Sequence, residues 1–158
     1  MRRPGAGPHV GLCDMVYLSI SDPIQAGAVE RTDRWSLPYQ DMRVTQLRFD
    51  AQLTLVLDES TEIVVGSPAV LVHGPTPESG AIPVRLAPHR QDVAGALDLF
   101  GARIAAAVAF KDGRLRLLFD GGDQLHVAPD SWYEAWSAVG PGTLRAVCLP
   151  RGGLAIWA

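Results

Sequence analysis

Chemistry in this chain would have to come from its histidines, carboxylates, cysteines, or a serine held in a tight turn. The four histidines are His9, His73, His89 and His126. No two of them fall at the HxH or HxxxH spacing that brings two imidazoles to one metal. Cys13 and Cys148 stand near opposite ends without a CxxC, so they read as reduced thiols used as small apolar side chains. Gly66-Ser67-Pro68 is an incomplete GxSxG elbow, and proline follows where a helix should begin. The glycine pairs lack the lysine and the serine or threonine of a phosphate loop. Asp58, Glu59, Asp120 and Asp123 gather at hairpin tips. Carboxylates there serve turn geometry and solubility, or at most acid-base work or cation binding. No catalytic residue, metal or cofactor is expected.

Two other groups suit binding. Arg114, Arg116, Gln124 and His126 alternate with apolar residues and so fall together on the outward side of a strand pair. There they make a small positive patch, and arginine engages carboxylates through two parallel hydrogen bonds. Trp132, Tyr133 and Trp136 place three large aromatics in one short stretch. On a helix Trp132 and Trp136 share a face and Tyr133 lies roughly 100° round. Buried, the tryptophans would plug the end of a β core; exposed beside arginine, they would anchor an interface. The candidate partner-binding set is Arg114, Arg116, His126, Trp132, Tyr133 and Trp136.

An internal repeat supplies the elements that position these residues. Leu53, Leu55, Leu57, Asp58, Ile63 and Val65 recur in order and spacing as Leu115, Leu117, Phe119, Asp120, Leu125 and Val127. Both segments alternate apolar and polar residues, the mark of strands with one buried face. Parity predicts Phe119 opposite Leu125 across Gly121-Gly122-Asp123, and Leu57 opposite Ile63 across Glu59-Ser60-Thr61. A strand precedes each pair. Val108 and Phe110 are expected to pair inward onto Leu117 and Leu115 through a two-residue Asp112-Gly113 turn. Leu47 and Phe49 do the same through Asp50-Ala51-Gln52. Each unit is then a three-stranded meander.

Val93, Ala96, Leu97 and Phe100 have helical spacing before a Gly101 stop. Residues 68–88 read as a proline-rich loop with a short edge strand. Ser131 and Glu134 have capping-box spacing for a short helix, ended by Gly140-Pro141-Gly142. Leu144 to Leu149 and Leu154 to Trp157 form a closing hairpin across Pro150-Arg151-Gly152-Gly153. Residues 1–40 read as an N-terminal extension packed on the domain, with a strand at Met15 to Ile20. The single duplicated domain spans 41–158. The fold class is α+β, mainly antiparallel β, with two meanders packed as a sandwich or partly open barrel, one connecting helix and one short C-terminal helix.

The chain has 158 residues, 47% of them hydrophobic, enough for one domain with its own core and too apolar for a disordered tail. A net charge of −3 gives no nucleic-acid or anionic-membrane footprint. Arg2-Arg3 is not followed by the apolar run of a twin-arginine signal. The longest strongly apolar stretch, Ile104 to Phe110, is far short of the ~20 residues a membrane helix needs. A soluble cytoplasmic protein is expected. Lys111 is the sole lysine, a compositional bias of GC-rich coding.

The stretch Trp132-Tyr133-Glu134-Ala135-Trp136, followed by Val147 to Trp157, resembles an uncharacterised family of small actinobacterial proteins. Those proteins have a YEAW motif and an LPGGGLAIW-like ending, with Arg151 here in place of the first glycine. The resemblance runs over about 41–158 and implies immunity or accessory proteins. The expected function is a non-enzymatic protein-binding module, immunity-like, whose partner is an unidentified protein such as a toxin. A small-molecule-binding or enzymatic domain with a pocket between the meanders is the alternative. A homodimeric structural component, paired through exposed edge strands, is a third.

Overall fold

Alternating residues put their apolar members on one side of a strand, and in both repeated segments that side is shut off from water. Leu53, Leu55, Leu57, Ile63 and Val65 are buried, as are Leu115, Leu117, Phe119, Leu125 and Val127. The computed structural model describes residues 27–58, 60–74 and 82–157; the strand expected at Met15 to Ile20 lies outside them. The strands are β1 (Val29–Glu30), β2 (Arg34–Ser36), β3 (Gln46–Phe49), β4 (Leu53–Val56), β5 (Glu62–Val65), β6 (Ala69–Val72) and β7 (Val84–Leu86). They continue as β8 (Ile104–Phe110), β9 (Leu115–Phe119), β10 (Gln124–Val127), β11 (Trp136–Val139), β12 (Arg145–Cys148) and β13 (Leu154–Trp157).

These strands form two open antiparallel sheets. One has the order β1-β2-β8-β9-β10-β6-β7 and the other β13-β12-β11-β5-β4-β3. Each meander, β3-β4-β5 and β8-β9-β10, lies in its own sheet, and the strand following each crosses to the other. β6 pairs with β10, and β11 pairs with β5. The buried faces of both sheets contribute to one hydrophobic cluster. Each buried leucine in it is worth about 1.5–3 kcal/mol relative to exposure. Trp136, at the start of β11, is buried and donates its indole N–H to the Gly113 carbonyl at 2.8 Å. That bond ties a strand of the six-stranded sheet to a hairpin of the other. Tyr39 is fully buried, its hydroxyl has no hydrogen-bond partner among the described residues, and burial pushes its phenol above the usual tyrosine range.

Several expectations about local structure are corrected. In both repeat hairpins the register differs by two residues from the expected one: Leu117 faces Leu125 and Leu55 faces Ile63. The loops are Asp120-Gly121-Gly122 and residues 58–60, closed by the Phe119 and Leu57 amides donating to the Asp123 and Thr61 carbonyls. A two-residue shift keeps every side chain on its face, so the core is unchanged.

The hairpin before β9 shifts by one, and this does change faces. Its loop is Lys111-Asp112-Gly113, with Gly113 at φ 104° and the Phe110 amide donating to the Arg114 carbonyl. Ala109 therefore faces Leu115 and Ala107 faces Leu117, while Val108 faces Arg116. Val108 and Phe110 point outward. A Cβ on Gly113 would approach Cys148 Sγ and Pro129 Cγ to 3.0 Å, so glycine is required there for both backbone and space.

The connecting helix is a 3-10 helix, Ala94–Leu99, that buries Ala96 and Leu99 and leaves Leu97 and Phe100 exposed. Its three-residue period, not 3.6, selects the buried positions. Gly95 lets it lie against β7, since a Cβ there would meet Val84 at 2.7 Å. β6 is an interior strand where only a loop and an edge strand were expected; Ala69-Val70-Leu71-Val72 is an unbroken apolar run between prolines. The stretch around Trp132 forms no helix. Asp130 Oδ1 accepts the Trp132 and Tyr133 amides at 2.8 and 3.1 Å. This Asx turn takes the place of the expected Ser131 cap, and Trp136 is drawn into pairing with Val65. The closing hairpin forms as expected, with Cys148 opposite Leu154. Arg151 there adopts φ 71°, a conformation in which a glycine relieves strain. Among the described residues no helix is long and apolar enough to cross a membrane.

Candidate binding face

Register places the outward residues of the seven-stranded sheet in cross-strand rows. One row runs Ser36, Val108, Arg116, His126, Val70, Arg85 across β2, β8, β9, β10, β6 and β7. The adjacent row begins with Arg34 opposite Phe110. Three guanidinium carbons lie over the Phe110 ring: Arg114 at 4.3 Å, Arg34 at 4.7 Å and Arg116 at 5.5 Å from its centroid. Each is in cation–π range, and the ring holds the planar groups in place.

The charges on this face are not equally available. Arg34 pairs with Asp33 at 2.9 Å, and that hydrogen bond holds the Asp33 carboxyl below its usual range. Arg114 pairs with Asp112, also at 2.9 Å. Arg116 makes no ion pair among the described residues. His126 Nε2 lies 3.0 Å from Gln124 Oε1. Burial first, then the neighbouring charges of Arg116 and Arg114, push its imidazole below the usual histidine value; it is neutral at neutral pH. Beside it opens a groove of about 360 Å³, floored by Val70, Arg85 and His126 and walled by Pro68, Pro129 and Asp130. It lies on the outer face of the sheet, not between the meanders. The Asp130 carboxylate in its wall holds the turn that exposes Trp132 and Tyr133, whose relative exposures are 76% and 72%.

A second polar cluster lies among the loops between β6 and β10. His73 sits with Nε2 3.4 Å from Asp98 and Nδ1 3.2 Å from Asp123, whose other oxygen accepts the Gly74 amide. Nearby, Arg43, Arg103 and Asp120 line a cleft of about 320 Å³. Both arginines donate to backbone carbonyls, those of Gly101 and Asp41. Among the described residues no group of three or more histidine, cysteine or acidic side chains is arranged to hold a metal ion.

Residues 35–158 match the model of a family of unknown function, DUF6188. The chain belongs to DUF6188. No curated protein and no solved structure matches it. The span matched to DUF6188 begins inside β2 and takes in every later strand, including β8, β9 and β10 that carry the face.

In this DUF6188 protein Arg114, Arg116 and His126 share one surface. Trp132 and Tyr133 are exposed just past Asp130 of the groove lining, and Trp136 is in the core, with no surface to offer. The expectation that Trp132 and Trp136 share a face fails because no helix forms. Phe110, Arg34 and Arg85 were not expected on the face. The signal for Phe110 was its five-residue spacing from Leu115, which fits a three-residue turn and an outward ring. Arg34 and Arg85 carried no local signal, since β2 and β7 join this sheet only through long-range pairing.

Proposed function

We propose that this DUF6188 protein is a non-enzymatic, cytoplasmic protein-binding module that engages an acidic partner surface with the outer face of its seven-stranded sheet. The observation that carries the reading is the Phe110 ring with three guanidiniums around it, of which Arg116 has no carboxylate partner among the described residues. An arginine held by an aromatic ring has less freedom to lose on binding, and a carboxylate that meets it gains two hydrogen bonds at once. Trp132 and Tyr133, exposed just past Asp130 of the groove lining, are residue types that dominate interface energies. An immunity-like role, in which the partner is a toxin, is the narrower form and draws on the family resemblance. The two meanders read as copies of one ancestral module, since the repeat and the reciprocal strand exchange agree.

The test is capture from a lysate of cells that carry the gene, with wild-type and Arg116→Glu protein as parallel baits. A partner retained by the first and lost by the second supports the proposal. Equal retention, or none by either, overturns it. If the partner is a toxin, adding the purified module must inhibit it. A second reading rests on the groove beside His126: a small anionic ligand held by Arg85 and His126. Saturable binding of such a ligand without any protein partner would favour it.

A further inference from the structure

Arg116, His126 and Arg85 stand in a single cross-strand row, with the Val70 side chain filling the place between the last two. Three strand spacings separate β9 from β7, which at about 4.8 Å each puts the two arginines about 14 Å apart. An extended chain advances about 3.4 Å per residue, so four residues cover the same span. We infer that the face reads an extended acidic segment lying across the strands, with carboxylates four positions apart that meet Arg116 and Arg85. The inference rests on the protein-binding reading and adds the geometry of what is bound.

The surroundings support this occupant over others. Asp33 and Asp112 pair with Arg34 and Arg114 in the neighbouring row, whereas Arg116 and Arg85 make no ion pair among the described residues. Between the two arginines the segment crosses Val70 and the groove with its proline walls, which suits an apolar side chain midway between the carboxylates. Asp130 in the groove wall repels a continuous polyanion but leaves room for two spaced charges. This disfavours a nucleic-acid backbone, whose charge recurs at every nucleotide.

The test uses the full chain and fluorescein-labelled peptides read by anisotropy at low salt. The peptides carry two glutamates two, four or seven positions apart in a common serine-valine background, with a single-stranded oligothymidine as comparison. The four-position peptide should bind about fivefold tighter than the others, roughly the gain of one added exposed charge-assisted contact. Arg85→Ala should erase that preference and keep weak binding; Arg116→Ala should weaken binding to every peptide. Arg145→Ala, on the other sheet, should change nothing and controls for charge alone. Equal binding of all spacings that still requires Arg116 overturns the spacing inference and leaves the protein-binding face standing. Absence of any peptide binding, or binding indifferent to Arg116, overturns both. Tighter binding of the oligothymidine overturns the choice of a protein partner.

Discussion

Thr54 and Val64 face each other on the outer side of β4 and β5, just as Arg116 and His126 do on β9 and β10. On β4-β5 and β9-β10 the inner sides are alike, Leu53 and Leu55 matched by Leu115 and Leu117, and both are sealed. The outer sides differ in kind: Thr54 is buried and Val64 half-buried, whereas Arg116 and His126 bring charge and a titratable ring to the surface. Their leading aromatics differ as well. Phe49 is opposite Leu53 on the core side of β3, half-exposed at the sheet edge, while Phe110 is opposite Arg114 on the outside of β8. Both loops have three residues. The extra position between Phe110 and Leu115 turns the ring to the other face. Packing constrains one side of a strand pair and leaves the other side available for recognition.

The comparison can be broken most forcefully at the core. Leu55→Ala and Leu117→Ala should each cost about 2–5 kcal/mol, the range for deleting a fully buried leucine. If the meanders are equivalent inside, the two losses agree within about 1 kcal/mol in urea titrations. A large difference would show that one meander carries the fold.

Deleting Gly113 gives the second hairpin the spacing of the first. The side chains of β8 then have to exchange faces, driving Phe110 toward the space of Ala109. A loss of about 3 kcal/mol is expected from overpacking and the broken loop, again read by denaturant midpoint. A neutral deletion would mean that the face of Phe110 is not set by this turn.

Converting the outer pair to its counterpart is the sharper test of function. Arg116→Thr with His126→Val should leave stability within about 0.5 kcal/mol, as for surface changes generally, and abolish the capture described above. Destabilisation well beyond that would assign the pair a structural role.

The smallest effect is a pH dependence. Because His126 titrates lower in the folded protein than its ordinary value of about 6.5, the unfolded chain binds more protons as pH falls toward the folded value. Stability therefore declines as pH drops through 6.5 and levels off below the folded value. His126→Gln should flatten this part of the stability profile; an unchanged profile would assign the slope to other groups.

Much of the core was legible from alternation alone. Leu53, Leu55, Leu115 and Leu117 needed only a period of two and the repeat to be placed, because burial of one strand face is a local rule. The closing hairpin was legible for the same reason. The face was only partly legible. Arg116 and His126 follow from parity, but Phe110 depends on whether Asp112-Gly113 closes a two- or a three-residue turn, and both fit the residue types. The Trp132 segment misleads because Ser131 and Glu134 have cap spacing, while Asp130, one residue earlier, captures the Trp132 and Tyr133 amides in a turn instead.

The sequence by itself determined which residues of β4, β5, β9 and β10 turn away from water, and that two similar units exist. The tertiary structure alone decided the exchange of β6 and β11 between sheets, the burial of Trp136 against Gly113, and the row that joins Arg116 to Arg85. The physical reason is range: side-chain alternation is fixed by neighbours along the chain, whereas the partner of an edge is chosen by whichever strand completes its hydrogen bonds and covers its apolar side.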